Sequence, residues 1–235
     1  MNKKIKSFIA ASAVAVAVSA SAVDAKPVYE DAVGWTPVAV SLASPVQLPW
    51  GIGNWDVFGL DLGFLYNDIA KMYGLQAGLA NTCRDDLRGL AFSGLFNYAD
   101  RDVYAIRAAL GVNMCNGTLR GMDAGGLGWH RDIAGIDFEL VGTVQENICG
   151  FGASLLANVT DQESYGCTIA GGVNLARTAY GCQLAGLYNQ TEELHGCQIA
   201  LVNYAKECPW GFQIGLVNII MDNQLKVLPI VNGFF

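Results

Sequence analysis

The chain has 235 residues, of which 52% are hydrophobic and only 15% are charged, and its formal net charge is −7 at pH 7. This composition is unusually apolar for a soluble protein. The acidic balance argues against a nucleic-acid partner, because phosphate binding needs a basic face and the sequence has none.

The N-terminal segment has the pattern of a secretory signal peptide. Three lysines precede an apolar run rich in Ala and Val, and the small residues before Lys26 favour cleavage after Ala25. Cleavage after Ala22, or retention of the run as a membrane anchor, are the alternatives. Residues 1–25 are therefore predicted to be a signal peptide. The mature protein is expected to be exported to the periplasm, the outer membrane or the cell surface of a bacterium.

The next segment, residues 26–58, does not repeat and contains four prolines. Its stretch VAVSLASPVQL alternates as a short strand does. An array of stacked repeats needs its first unit covered, because an open sheet edge invites aggregation. We therefore predict an N-terminal cap over residues 26–58 and, at the other end, a C-terminal cap strand over residues 226–235.

Between the two caps the sequence repeats with a period of about fifteen residues. A glycine recurs at intervals of 14 to 16 residues, with one alanine in its place, and an asparagine follows most of these positions seven or eight residues later. The repeat positions are Gly59, Gly74, Gly89, Ala105, Gly121, Gly135, Gly150, Gly166, Gly181, Gly196 and Gly211, and the asparagines are Asn67, Asn81, Asn97, Asn113, Asn158, Asn174, Asn189, Asn203 and Asn218. Residues 59–225 are predicted to be a repeat array of about eleven coils, with the asparagines at tight corners where they form a ladder.

Side-chain direction can be read from equivalent positions in successive repeats. The residues one and three positions after each glycine are apolar, and mostly Gln, Asp, Arg or Thr lie between them. Alternation with period two predicts a strand with one buried and one wet face. We expect the apolar positions to face the core, including a column of thiols at Cys167, Cys182 and Cys197, and the polar column to face solvent. The residue two positions before each glycine is also predicted to point inward.

Two all-β architectures fit these patterns. In a β-solenoid each repeat is one coil and all copies of a position have the same surroundings, whereas in an antiparallel outer-membrane β-barrel long loops would alternate with short turns. The uniform period near fifteen favours the repeat β-solenoid. The terminal Phe235 favours the barrel, which stays as the alternative.

Several segments together carry a family resemblance. They are VQLP, FGLDLGFLYN, the repeats GLQAGLAN, GCQIALVN and GFQIGLVN, and the closing PIVNGFF. This ordered set resembles an uncharacterised family of bacterial surface-repeat proteins and covers nearly the whole mature chain. The resemblance implies a location at the cell envelope, and it supplies no activity and no catalytic residue.

An aromatic residue often precedes the repeat glycine, next to the polar column. Together these side chains are a candidate face for a glycan, an envelope component or a host partner, while stacking that only covers the backbone is the alternative. The candidate residues are Tyr73, Tyr104, Tyr165, Tyr180, Trp210, Gln183, Gln198 and Gln213.

No catalytic, cofactor-binding or metal-binding residue is predicted. The two histidines, His130 and His195, lie in predicted turn regions, and no Ser/His/Asp set or phosphate-binding loop is present. The acidic turns could bind Ca²⁺ weakly, although arginines are interleaved with them. The sequence thus predicts an exported, non-enzymatic surface repeat protein with a structural, adhesive or partner-binding role. An outer-membrane barrel acting as pore or anchor is the alternative.

Overall fold

The computed structural model describes residues 34–50 and 54–233, and the regular elements in this part of the chain are all strands. The predicted signal peptide and the first part of the predicted N-terminal cap lie outside the described residues. The strands are β1 (Gly34–Ala43), β2 (Val46–Leu48), β3 (Trp55–Ile69), β4 (Lys71–Cys83), β5 (Leu87–Ala99), β6 (Val103–Ala109), β7 (Val112–Leu119), β8 (Met122–Ser154), β9 (Ala157–Ala170), β10 (Val173–Ala185), β11 (Tyr188–Ile199), β12 (Val202–Ile220) and β13 (Val227–Gly233).

Successive repeats stack as parallel coils, so the predicted β-solenoid is confirmed. In the pairing of β10 with β11, Gly181 lies opposite Gly196 and Gln183 lies opposite Gln198, and the same parallel register joins the strands from β3 to β12. Equivalent side chains are therefore one strand spacing apart, about 4.8 Å. The alternative of an antiparallel barrel is wrong, because neighbouring repeats run in the same direction.

The two ends of the stack are built differently from its middle. β1 pairs in parallel with β3 and extends the stack by a partial coil before Gly59, while the short β2 pairs antiparallel with β1. At the other end β13 lies antiparallel on β12, with Phe212 opposite Gly233. These antiparallel strands cover edges of the parallel stack that would otherwise expose unpaired backbone groups.

The repeat glycine marks a position where neighbouring coils approach so closely that every copy except Ala105 lacks a side chain. Gly196 has a φ of +146°, and a Cβ added there would lie 2.0 Å from the carbonyl oxygen of Gly181 in the preceding coil. Nine of these glycines have φ values in the positive range. Glycine has no Cβ and enters this region without strain, which explains the period that the sequence displays.

One half of the coil interior is apolar. The residues two positions before the glycine point inward, as predicted, and Met72, Leu87, Leu119, Ile148 and Leu194 are all at most 1% exposed. Side chains from the opposite wall of the coil, among them Ile69, Cys83 and Cys115, pack against this column. Burial of these side chains is a main source of stability for the array.

The other half of the interior is polar, and here the predicted side-chain direction is wrong. Gln183, Gln198 and Gln213 are at most 2% exposed, so they face the interior and not the solvent. The side-chain Nε2 of Gln198 donates to Oε1 of Gln183 at 2.9 Å, and that of Gln213 donates to Oε1 of Gln198 at 2.8 Å. Stacked amides satisfy one another along the axis, so a polar column can be buried at low cost.

The predicted asparagine ladder is present beside this column. Nδ2 of Asn189 donates to Oδ1 of Asn203 at 3.0 Å and to the carbonyl oxygen of Ile199 at 3.1 Å, and equivalent bonds recur in the other coils. The ladder is broken only in the central coils of the described array, where Gly128 pairs with Asn113 and Thr143 pairs with Asn158. None of these asparagines has a positive φ, so the ladder and not a left-handed backbone accounts for asparagine at these positions.

Because the polar column faces inward, the apolar residues on either side of it face outward. Phe92, Phe138 and Phe212 are each more than 40% exposed. The thiols of Cys167, Cys182 and Cys197 belong to the same outward column and are only half-buried, so the predicted core column of thiols is also wrong. The array is therefore polar on part of its inside and apolar on part of its outside.

Candidate functional site

The outward side chains that follow each repeat glycine form one continuous surface, which we call the apolar edge. It consists of the exposed residues one to six positions after the glycine and runs from the first full coil to the last. Its large exposed members are Leu62, Phe64, Leu65, Leu79, Leu90, Phe92, Leu95, Ile106, Leu110, Met122, Phe138, Leu140, Val141, Leu155, Leu156, Leu187, Ile199, Leu201, Phe212, Ile214, Leu216 and Val217. An exposed apolar patch of this extent marks a contact surface for a protein or a membrane.

Charged side chains are excluded from the apolar edge in the described coils. Each charged residue within the six positions after a repeat glycine is buried, and these residues are Asp61, Arg107, Asp123, Asp137 and Glu139. The exposed charges lie on the opposite edge of the coils, in pairs such as Arg101 with Asp85 at 3.1 Å and Arg120 with Asp102 at 3.0 Å. The solenoid is therefore amphipathic across its section.

Between these two edges lies the aromatic row that the sequence singled out. Tyr165 and Tyr180 stack with ring centroids 4.5 Å apart and an interplanar angle of 3°, and Tyr180 stacks on His195 at 4.6 Å. Towards the other end, the guanidinium of Arg88 lies 5.4 Å from the ring of Tyr73 and 5.0 Å from that of Tyr104. Successive side chains in this row thus cover one another's ring faces.

The candidate glycan or partner face is assembled only in part. Tyr104, Tyr165 and Trp210 are exposed beside the apolar edge, but the three glutamines that were expected to accompany them are buried. Sugars stack on free ring faces, and in this row neighbouring rings or guanidinium groups occupy many of those faces. The geometry therefore favours a row of aromatic side chains that presents ring edges and hydroxyl groups at the border of the apolar edge.

A second site lies inside the central coils, where the asparagine ladder is broken. We call it the interior cluster; it consists of Arg107, Asp123, His130, Asp137 and Glu139, all at most 3% exposed. The guanidinium of Arg107 donates to both carboxylate oxygens of Asp123, with Nε to Oδ1 at 2.8 Å. Nε2 of His130 is 3.5 Å from Oδ2 of Asp123 and 3.7 Å from Oδ1 of Asp137. His130 thus lies inside a coil and not in an exposed turn.

Several polar atoms of the interior cluster have no hydrogen-bond partner. Both ring nitrogens of His130, both carboxylate oxygens of Asp137 and Oε2 of Glu139 are buried in this state. Burial, together with the nearby Asp137 and Asp123, raises the pKa of Glu139 to about 9. The sequence reading missed this cluster because it placed the column of Arg107, Asp123 and Asp137 in solvent. The missing asparagine at Gly128 was the available signal.

The acidic turns are mostly neutralised by basic side chains. Asp68 pairs with Arg84, Asp85 with Lys71 at 3.4 Å, and Asp86 with Arg88 at 3.2 Å. Within the described residues, the acidic and histidine side chains close enough to share a metal ion are Asp123, His130 and Asp137. Calcium binding at the acidic turns therefore stays an expectation from the sequence. The three residues that could share a metal ion lie in the interior of the array.

The first coil contains a buried carboxyl group whose titration we expect to affect stability. Burial raises the pKa of Asp61 from 3.8 to about 6, although a hydrogen bond from Gln76 at 3.0 Å lowers it. The folded state therefore holds a proton that the unfolded state releases between pH 4 and pH 6. Stability should fall by up to about 3 kcal/mol as the pH rises through this window.

Urea unfolding of the wild type and of Asp61→Asn at pH 4 and pH 6.5 tests this prediction. The variant has no carboxyl group at this position, so its loss of stability between the two pH values should be smaller than that of the wild type. Equal losses in the two proteins would show that Asp61 does not carry the effect.

No helix that is long and apolar enough to cross a membrane occurs in the part of the chain that the structure describes. Comparison of the chain with protein-family models, with curated proteins and with solved structures gives no match.

Proposed function

We propose that this chain is an exported, non-enzymatic structural protein of the bacterial envelope, which attaches to a lipid layer by its apolar edge. The observation that carries the proposal is the order in which the residue types follow one another across the surface of the array. Aliphatic side chains come first, then the aromatic row, and then the charged pairs of the opposite edge.

This order matches the order of environments from the hydrocarbon to the water of a lipid surface. Aliphatic side chains such as Leu216 fit the acyl region, Tyr and Trp are enriched at the level of the headgroups, and charged residues stay in water. Trp210, which is 58% exposed, lies in the aromatic row of the last full coil, next to the exposed Phe212 of the apolar edge. A lipid surface can contact many coils at once, because most of the coils present large apolar side chains on the same edge.

A lipid layer fits the apolar edge better than a protein partner does. Protein interfaces usually surround a small apolar centre with polar groups and carry about one hydrogen bond per 100–200 Å². The apolar edge is rich in leucine and has no exposed charged group from Leu62 to Val217. The charged edge on the other side would remain free in water, where an adhesive or partner-binding role could be exercised.

The export of the chain rests on different support. The N-terminal segment has the basic, apolar and small-residue regions of a signal peptide, and the repeats resemble those of bacterial surface proteins. In this proposal the mature chain folds after export and meets the lipid from the side of the periplasm or the cell surface.

Vesicle flotation tests the lipid contact. The chain from Lys26 onward is mixed with vesicles of phosphatidylethanolamine and phosphatidylglycerol and centrifuged through a density gradient. The wild type should rise with the vesicles. The variant Leu201→Glu/Leu216→Glu should lose at least about 90% of the floating fraction, because each carboxylate would have to enter the acyl region.

The matched control places two glutamates away from the apolar edge. The variant Gln162→Glu/Gln224→Glu adds the same charge at exposed positions and should float as the wild type does. Circular dichroism confirms that each variant is folded. If the wild type stays at the bottom of the gradient, or if both variants float equally well, the apolar edge is not a lipid contact.

A further inference from the structure

The interior cluster has the composition and the spacing of a metal site. From the geometry of the central coils, we propose that Asp123, His130 and Asp137 bind one divalent transition-metal ion of the zinc type inside the solenoid. This proposal is independent of the lipid contact, because the cluster is enclosed by the coil and does not reach the apolar edge.

The distances in the cluster suit ligands of a shared ion better than they suit hydrogen bonds. The nitrogen of His130 is 3.5 Å from Oδ2 of Asp123 and 3.7 Å from Oδ1 of Asp137, and one ligand atom from each of the three residues can be chosen within 4.8 Å of the others. With zinc-to-ligand distances near 2.0–2.2 Å, ligands of one tetrahedral ion are about 3.4 Å apart. Only small movements of the side chains are needed to close around an ion.

The unpartnered atoms indicate that the cluster lacks a component. His130 and Asp137 are almost completely buried, and neither ring nitrogen of the first nor either oxygen of the second makes a hydrogen bond. Buried polar groups are rarely left in this state, because each costs about 1–3 kcal/mol. A single ion between them would satisfy an imidazole nitrogen and a carboxylate oxygen together.

The surroundings of the three ligands are also those of a metal site. Arg107 holds both oxygens of Asp123 and so fixes its orientation, as groups around metal ligands commonly do. Arg107 donates to Asp123 and to the carbonyl oxygen of Met114, whereas both carboxylate oxygens of Asp137 are buried without a hydrogen-bond partner. A divalent cation would supply the positive charge that Asp137 lacks.

The break in the asparagine ladder provides the space. At Gly128 an added Cβ would lie 3.0 Å from Nε2 of His130, 3.0 Å from Cγ of Glu139 and 2.7 Å from Oγ1 of Thr143. The asparagine that most other coils carry at this position would therefore collide with the cluster. Its replacement by glycine makes room for His130 and Glu139, so two departures from the repeat occur together in one place.

The mixed nitrogen and oxygen ligand set decides the class of ion. Imidazole suits Zn²⁺ and its first-row neighbours, whereas Ca²⁺ and Mg²⁺ prefer oxygen ligands alone. Because the ligands are enclosed, the ion would enter as the coils close, and its binding would be coupled to folding.

Refolding with and without zinc tests the proposal. The chain from Lys26 onward is unfolded in guanidinium chloride with EDTA, refolded with or without ZnCl₂, passed over a chelating resin, and analysed for metal by mass spectrometry. We expect about one zinc ion per wild-type chain and a higher thermal midpoint of the zinc-refolded protein. His130→Gln should retain at least about tenfold less zinc and show no zinc-dependent shift of the midpoint.

The same substitution at the other histidine is the matched control. His195→Gln removes an imidazole from the aromatic row and should bind zinc as the wild type does. All seven cysteines are the same in these proteins, so thiol-bound zinc contributes equally to each. Equal zinc in the wild type and His130→Gln, or folded wild type that retains none, would overturn the proposal. If His130→Gln does not fold, Asp137→Asn takes its place, and the wild-type comparison with EDTA still decides.

Discussion

Replacing Gly181 by alanine is expected to lower the free energy of unfolding by at least about 3 kcal/mol. The φ of Gly181 is +128°, a conformation that alanine adopts only with strain, and its Cβ would lie 2.1 Å from the carbonyl oxygen of Gly166. The atom in the way belongs to the backbone of the preceding coil. The clash can be relieved only by separating the two coils, which would break the parallel hydrogen bonds between β9 and β10. Urea unfolding followed by circular dichroism measures the loss.

Gly152 provides the matched control for this substitution. It lies in the inward polar column and has no positive φ, and its added Cβ would meet the end of the Ile148 side chain at 2.9 Å and Cγ2 of Thr168 at 3.8 Å, with no backbone atom in the way. The equivalent position in an earlier coil is occupied by Ala91, so Gly152→Ala should cost less than about 1 kcal/mol. Similar losses for the two variants would mean that the repeat glycine is not required by the close approach of the coils.

Ala105 is the one residue in the row of repeat glycines that is not glycine, and its backbone shows why glycine is needed at the other positions. Ala105 pairs with Gly89 in the parallel register but does not have a positive φ, and the strand that contains it, β6, is short. The coil can therefore accept a Cβ only where its backbone takes a different path. The coils on both sides of Gly181 are regular. A change in the backbone path at Gly181 would therefore disturb its pairing with both of these coils.

The stacking of the coils could be predicted from the sequence because close approach and side-chain ladders leave a period. Most coils need a glycine at the position of Gly181, because the backbones of neighbouring coils meet there. Most coils also need an asparagine at the position of Asn189, because the amide of one asparagine bonds to the amide of the next. The equal spacing of the two kinds of residue therefore predicts the register of the coils. The parallel direction followed from the uniform surroundings of every copy.

The direction of the side chains could not be predicted in the same way. Alternation with period two separates two faces of a strand but does not say which face is inside, and the usual assumption is that the apolar face is buried. In this chain Gln198 is buried and Ile199 is exposed. The amide of Gln198 is satisfied by Gln183, and Gln213 donates to it in turn, so stacking removes much of the cost that normally keeps such residues outside.

The interior cluster was hidden by the same error. The polar column that contains Arg107, Asp123 and Asp137 was predicted to face solvent, so these residues looked like ordinary surface charges. His130 looked like part of a turn. Once the column is known to face inward, the same residues become a buried group with few partners. Irregularities in a repeat, such as Gly128 in the asparagine column, are therefore the positions at which a repeat sequence is most informative about function.

Replacing Arg107 by methionine is expected to lower the free energy of unfolding by about 3–5 kcal/mol. The guanidinium is completely buried, and it donates to both oxygens of Asp123 and, at 3.0 Å, to the carbonyl oxygen of Met114. Methionine fills much of the volume but leaves the carboxylate of Asp123 buried without its partner. Urea unfolding in EDTA, which excludes a contribution from bound metal, measures the difference from the wild type.

A second variant distinguishes the unpaired charge from a loss of packing. Arg107→Gln/Asp123→Gln replaces the ion pair by the stacked amides that Gln183, Gln198 and Gln213 form in the last coils. It should recover most of the stability that Arg107→Met loses, because two stacked amides bury no net charge and satisfy each other. If the double variant is as unstable as Arg107→Met, the ion pair does more than neutralise Asp123, and the shape of the guanidinium itself is needed in the central coils.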